Sequence, residues 1–138
     1  MTYAGDVRPT EAWGMLARDA NALLVDVRTR PEWTFVGVPD LTSVGKMPIL
    51  LSWQVFPDMN LATDFTQRLA DAVPSREAPI LFLCRSGARS RAAAAAMAAQ
   101  GYSRCFNVSD GFEGNLDADR HRGQAAGWKA AGLPWMQD

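Results

Sequence analysis

Strands that alternate with helices across short loops predict an α/β fold, a mostly parallel sheet covered by helices on both faces. Three features of the 138-residue chain carry this prediction. Ala22–Val27 is apolar except at Asp26, and Ile80–Leu83 is apolar throughout, as suits strands buried on both faces. The second run passes through Cys84-Arg85-Ser86-Gly87-Ala88-Arg89-Ser90 straight into the alanine-rich stretch Arg91–Ala99, which gives the order strand, tight loop, helix. The other segments keep the same alternation.

Taken in order, Pro9–Asp19 carries Trp13, Leu16 and Ala17 at helical spacing, with Pro9 suited to a first turn. Ala22–Val27 is the first strand, and Arg30–Val36 adds a short helical turn. Gly37–Gly45 holds Gly37, Pro39, Asp40 and Gly45 and is a loop. Met47–Trp53 reads as a strand with Pro48 near its start. Asn60 caps a helix over Leu61–Val73, whose Leu61, Phe65, Leu69 and Ala72 share one face. Pro79–Leu83, the helix Ser90–Gln100 ended by Gly101, and the strand Arg104–Val108 complete the pattern.

At this length the expectation is one domain over residues 1–138 with its own core. The 14 basic and 15 acidic residues nearly cancel, so no global field favours nucleic acid or an anionic membrane. Met1–Asp6 lacks the basic and apolar regions of a secretory signal, and no run reaches the roughly 18 apolar residues of a membrane span. Two cysteines, Cys84 and Cys105, do not make a secreted disulfide scaffold, so the expected compartment is the cytoplasm. With His121 the sole histidine and no paired cysteine motif, neither a metal nor a cofactor is expected.

Chemistry concentrates at Cys84. In open parallel sheets ligands bind beyond the carboxyl ends of the strands, and a helix N-terminus there favours an anion. A thiol near a helix N-terminus and cations ionises more readily than a free one, and Arg85 and Arg89 supply the cations. The alternative is a small buried hydrophobe at a strand end.

With these residues in place, the chain resembles the rhodanese-like sulfurtransferase domain. The matching pieces are Leu24-Val25-Asp26-Val27-Arg28 with Glu32-Trp33, the loop Cys84–Ser90, Asn107-Val108 leading to Gly111, and Gly127–Pro134 near the end. The resemblance implies a three-layer α/β domain with a five-stranded parallel sheet flanked by helices, and a cysteine that carries sulfane sulfur as a persulfide. Cysteine-dependent phosphatases, some on the same fold, have five residues between cysteine and arginine. Here four residues separate Cys84 from Arg89, and Ser90 stands where the phosphatase arginine would be. The shorter loop matches a terminal sulfur better than a tetrahedral oxyanion.

The implied reaction is a sulfur transfer. Cys84 attacks the outer sulfur of a small donor such as thiosulfate, and a thiophilic acceptor, cyanide or a thiol, protein thiols included, removes it. The substrate-binding loop comprises Arg85, Ser86, Gly87, Ala88, Arg89 and Ser90, whose amides would stabilise the anionic sulfur. Arg85 is the better candidate to face the opening, whereas Arg89 could equally form a structural ion pair. Ser86 and Ser90 are read as loop or cap residues. Asp26 and Arg28 are expected to hold the architecture of the rim, with Glu32 pairing a nearby arginine. Cys105 reads as a buried inert thiol, or alternatively as a resolving cysteine.

Two departures from the family pattern bear on substrate choice. After Glu32-Trp33 the usual glycine-histidine turn is replaced by Thr34–Asp40, so the pocket wall from Phe35 to Phe56 is open, with Trp53, Phe56 and Met59 as candidates against simple core packing. Between Gly111 and Trp128 lies an insertion, residues 112–127, with Glu113, Asp117, Asp119, Arg120, His121 and Arg122. It either borders the mouth of the site and selects the substrate, or is a solvated surface loop. The competing functional readings are a noncatalytic rhodanese-like binding module and a cysteine-dependent phosphatase or arsenate reductase.

Overall fold

In the computed structural model, which describes residues 3–137, the chain runs through strand β1 (Gly5–Val7), helix α1 (Pro9–Arg18), β2 (Leu23–Asp26), α2 (Arg30–Val36), β3 (Val38–Pro39) and β4 (Ile49–Leu50). It continues through β5 (Gln54–Val55), β6 (Asn60–Leu61), α3 (Phe65–Ala72), β7 (Ile80–Leu83), α4 (Ala88–Ala98), β8 (Cys105–Val108) and β9 (Trp135–Met136). The main sheet has five strands in the order β1-β8-β7-β2-β4, and each neighbouring pair is parallel. Among the described residues no helix is long and apolar enough to cross a membrane.

The period of two along a strand divides the interior into two layers. Ile80, Phe82 and Cys84 of the β7 segment join Val25, Phe65, Leu69, Ala93, Ala94 and Met97 on the α3 and α4 side. Leu81 and Leu83 join Ala12, Leu16, Leu24, Phe112 and Trp128 on the α1 side. Cys84 therefore continues the alternation of β7 toward the face that α4 covers, at the strand's carboxyl end. The expected five-stranded parallel sheet flanked by helices is present.

Three elements differ from the sequence expectation, each for a local reason. β1 supplies the fifth strand by pairing with β8, Asp6 opposite Asn107; its three residues include Gly5 and Asp6, both poor strand formers. The segment read as a strand over Met47–Trp53 has strand geometry only at Ile49–Leu50, although the Leu51 and Trp53 N–H groups still donate to Asp26 O and Val27 O. Asn60 and Leu61 do not begin a helix. They pair antiparallel with Val55 and Gln54, Leu61 is exposed, and α3 begins at Phe65 after Asp64.

Residues 112–127 form turns that lead to Trp128, which is fully buried, packs edge-on against Trp13 at 5.9 Å, and donates its indole N–H to Pro134 O at 2.8 Å. β9 then pairs antiparallel with β3, so the end of the described chain closes over the loop that follows α2.

Candidate active site

The site forms where β7 stops and α4 begins. Gly87, at φ +118, caps α4 and turns the chain tightly enough for its N–H to donate to Cys84 Sγ at 3.1 Å. Two carbonyls behind the loop are pinned. Phe112 N–H donates to Cys84 O at 2.8 Å, and the Glu113 and Gly114 N–H groups donate to Arg85 O at 3.0 and 3.1 Å. In a trans peptide the C=O and N–H point in opposite directions. Pinning these carbonyls therefore turns the Arg85 and Ser86 N–H groups away from residues 112–114, and the first-turn N–H groups of α4 add further donors without intrahelical partners.

Gly111 makes the pinning possible. It sits at φ +61, and a Cβ there would come 2.4 Å from Cys84 O and 2.6 Å from Arg85 O. No larger residue fits without moving the loop backbone.

Cys84 lies at the base of an open cleft of about 580 Å³. Arg85, Ser86, Ala88 and Arg89 of the loop line it, with Glu32 and Val36 from α2, Gln54 and Met59 around the β5–β6 ribbon, and Glu113 and Arg122 after β8. The expected loop residues are thus together, but their environments differ. Arg85 is exposed at the rim. Arg89 is held by Glu32 through two hydrogen bonds, Nη1–Oε1 at 2.7 Å and Nη2–Oε2 at 2.9 Å. Burial opposes the charge on Glu32, yet the Arg89 hydrogen bonds and charge, with the N–H and hydroxyl of Thr29, outweigh it and hold the carboxyl down at about 2. Ser90 is fully buried, with Oγ 3.1 Å from Cys84 Sγ.

Asp26 and Arg28 form a buried ion pair, Nη2–Oδ2 2.6 Å and Nε–Oδ1 2.9 Å. Arg28 also donates to Gly37 O at 2.7 Å and stacks 4.3 Å from the Phe112 ring centroid. Neither lines the cleft. Burial pushes the Cys105 thiol up to about 11, and its nearest polar contact is Tyr102 O at 3.5 Å. Both cysteines are free.

The two variable walls separate by role. Met59 lines the cleft, Trp53 packs edge-on against Phe65 at 5.2 Å, and Phe56 lines a second depression of about 680 Å³ beside Phe35, Trp33 and Leu50. In residues 112–127, Glu113 and Arg122 line the cleft, and Arg122 Nη1 is anchored on Gly114 O at 2.8 Å. Asp117 instead staples its own turn, accepting the N–H groups of Asp119 and His121. His121 is exposed.

A family model described as the STR4 middle domain matches residues 5–138. The chain belongs to this family. A crystal structure titled Rv0390 from M. tuberculosis is 48% identical, with a TM-score of 0.90 and 99% of each chain covered. An uncharacterized protein of Rickettsia rickettsii is 46% identical over 127 residues, 92% of this chain and 93% of its own. A thiosulfate sulfurtransferase, GlpE of Actinobacillus succinogenes, is 28% identical over 129 residues, 94% of this chain and 87% of its own.

Within this STR4 middle domain fold, three residues at the site carried no functional assignment in the sequence reading. Gly111 was legible only as part of a motif. Asn107, buried on β8, and Asp6, exposed on β1, meet at 3.0 Å and reach the site through Ser90. They are 101 residues apart in the chain, and only the β1–β8 register brings them together.

Proposed function

We propose that the protein is a sulfurtransferase that moves sulfane sulfur from a small anionic donor such as thiosulfate to a thiophilic acceptor, cyanide or a thiol, through a persulfide on Cys84. The observation that carries this reading is the environment of Cys84 Sγ, which lines an open cleft and accepts the Gly87 N–H at 3.1 Å where β7 meets the N-terminus of α4. The similarity to GlpE, a thiosulfate sulfurtransferase by name, supports the same chemistry.

The Cys84 thiolate attacks the outer sulfur of the donor. A new S–S bond forms, the donor's own S–S bond breaks, and its electron pair leaves with sulfite. The negative charge now sits on the outer sulfur of the persulfide, where the unpartnered N–H groups at the start of α4 would stabilise it as an oxyanion hole stabilises oxygen. Cyanide attacks that sulfur, thiocyanate leaves, and the thiolate returns. Arg85 attracts the anionic donor at the rim. Arg89, with both terminal nitrogens committed to Glu32, positions the loop and is not free to clamp a tetrahedral phosphate.

The test is to incubate the protein with thiosulfate, measure intact mass, then add cyanide and assay thiocyanate. One added sulfur atom, removed by cyanide and absent in Cys84→Ser, is the expected result. Absence of both the adduct and thiocyanate overturns the reading, and full turnover by Cys84→Ser overturns the assignment of Cys84.

A further inference from the structure

The Ser90 hydroxyl has three acceptors within reach and one proton to give. Its Oγ lies 3.1 Å from Cys84 Sγ, 3.2 Å from Gly87 O and 2.5 Å from Asn107 Oδ1. Ser90 and Asn107 are both fully buried, so water does not complete the set. The orientation of the Asn107 amide is set from its far side, where Nδ2 meets Asp6 Oδ1 at 3.0 Å. A carboxylate only accepts, so the amide must present its NH₂ to Asp6 and its oxygen to Ser90. An amide oxygen also only accepts. The Ser90 proton therefore sits on the contact to Asn107, the shortest of the three, and Ser90 Oγ turns a lone pair toward Cys84.

We propose that Asp6 and Asn107 are positioning residues that hold Ser90 as a hydrogen-bond acceptor for the Cys84 thiol. Forming the thiolate then requires the Ser90 hydroxyl to rotate from Asn107 onto the sulfur. This inference rests on the reading of Cys84 as the sulfur carrier and gives that carrier a built-in restraint. On ionisation the thiol proton leaves to water in the cleft, Ser90 keeps its own proton, and only the direction of its O–H changes. When Cys84 Sγ becomes bonded to the transferred sulfur, the negative charge moves to the outer atom, and the Ser90 hydroxyl returns to Asn107. Asn107 thus opposes the free thiolate and is compatible with the loaded state. Ser90 switches partner once in each half of the cycle.

Several charged groups line the cleft with Cys84: Arg85 on the loop, Arg89 on α4 with its partner Glu32 on α2, and Glu113 and Arg122 after β8. Tyr3 OH donates to the same Asp6 oxygen at 2.9 Å. The groups that line the cleft are unchanged in the variants below, and the Ser90→Ala background separates the relay from loss of the Asp6 charge and of its Tyr3 contact.

The experiment measures the rate of Cys84 alkylation by iodoacetamide against pH, followed at the Cys84 peptide by mass spectrometry, in wild type, Asp6→Ala, Asn107→Leu, Ser90→Ala and Asp6→Ala/Ser90→Ala. Asp6 is exposed, so its truncation leaves the core intact and frees the Asn107 amide to turn its NH₂ toward Ser90. The midpoint of the alkylation profile is expected to fall by about one pH unit in Asp6→Ala and Asn107→Leu, the size of one hydrogen bond's net contribution. In the Ser90→Ala background, the Asp6 substitution is expected to change nothing. A midpoint that stays or rises in Asp6→Ala, or a fall of equal size with and without Ser90, overturns the relay. Alkylation needs no sulfur donor. A protein that transfers no sulfur fails the functional reading by the thiocyanate assay, whereas one that transfers sulfur with an unmoved midpoint fails the relay alone.

Discussion

Arg89 reaches Glu32 across 57 residues of sequence, and the pair sits at the lip of the cleft with each side chain about one-fifth exposed. Its consequence is a pH dependence of defined sign. The Glu32 carboxyl is held at about 2 in the fold against 4.5 as the ordinary value. The folded protein therefore gains stability from this group above about pH 4.5 and loses it as pH falls toward 2. Urea unfolding across that interval should show a falling midpoint in the wild type and a flatter profile in Glu32→Gln. An unchanged profile would place the acid sensitivity elsewhere. At this scale the sequence was informative where chemistry and local order coincide. Cys84, Gly87 and the two arginines lie within one loop, and Glu32 was legible as a partner for an arginine near it. Asp6 and Asn107 were not, because an Asn in a short strand and an Asp near the start of a chain have many uses, and only strand register makes them neighbours.

The alanine helix α4 shows how an element's sequence encodes its distance from a sheet. Of its alanines, Ala93 and Ala94 are fully buried, together with Ser90 and Met97, against β7 and β8, whereas Ala88 and Ala92 are exposed. Small side chains on the buried face let the helix approach closely, so that its N-terminus meets Cys84. Replacing Ala94 by Leu should overpack that face and cost about 1 to 3 kcal/mol, while Ala92→Leu on the exposed side should change thermal stability little; comparing the two melting temperatures checks this. Equal losses would mean that helix propensity, not packing, governs the segment. The strands β2 and β7 were legible because burial on both faces leaves an apolar run, broken in β2 only at Asp26. The β5–β6 ribbon was not. Leu61 has the right spacing to continue the apolar face of α3, but the main-chain bond from Ala62 N–H to Trp53 O holds it extended and outside.

Across the whole molecule, the chain after β8 returns over the first half of the sheet, and Arg28 is where the parts meet. Its guanidinium binds Asp26 at the end of β2, the Gly37 carbonyl at the end of α2, and the face of Phe112 just after the glycine that supports the Cys84 loop. Lys129 adds a parallel tie, donating to Val36 O at 2.9 Å and lying 3.8 Å from the Trp135 ring centroid. The sequence placed Asp26 and Arg28 at the strand end as structural residues. It could not place Phe112 or Gly37 against them, since those contacts exist only once the C-terminal segment has wrapped. Both charges are fully buried, so the pair's value lies in its mutual satisfaction. Arg28→Met should leave the Asp26 carboxylate buried without its partner and cost about 3 to 5 kcal/mol in denaturant unfolding. Adding Asp26→Leu to that variant should recover much of the loss, because an apolar pair of similar volume carries no desolvation penalty. If the double variant is as unstable as the single one, the cost belongs to the lost contacts with Gly37 and Phe112, and Arg28 holds the fold as a clamp between segments more than as a counter-ion.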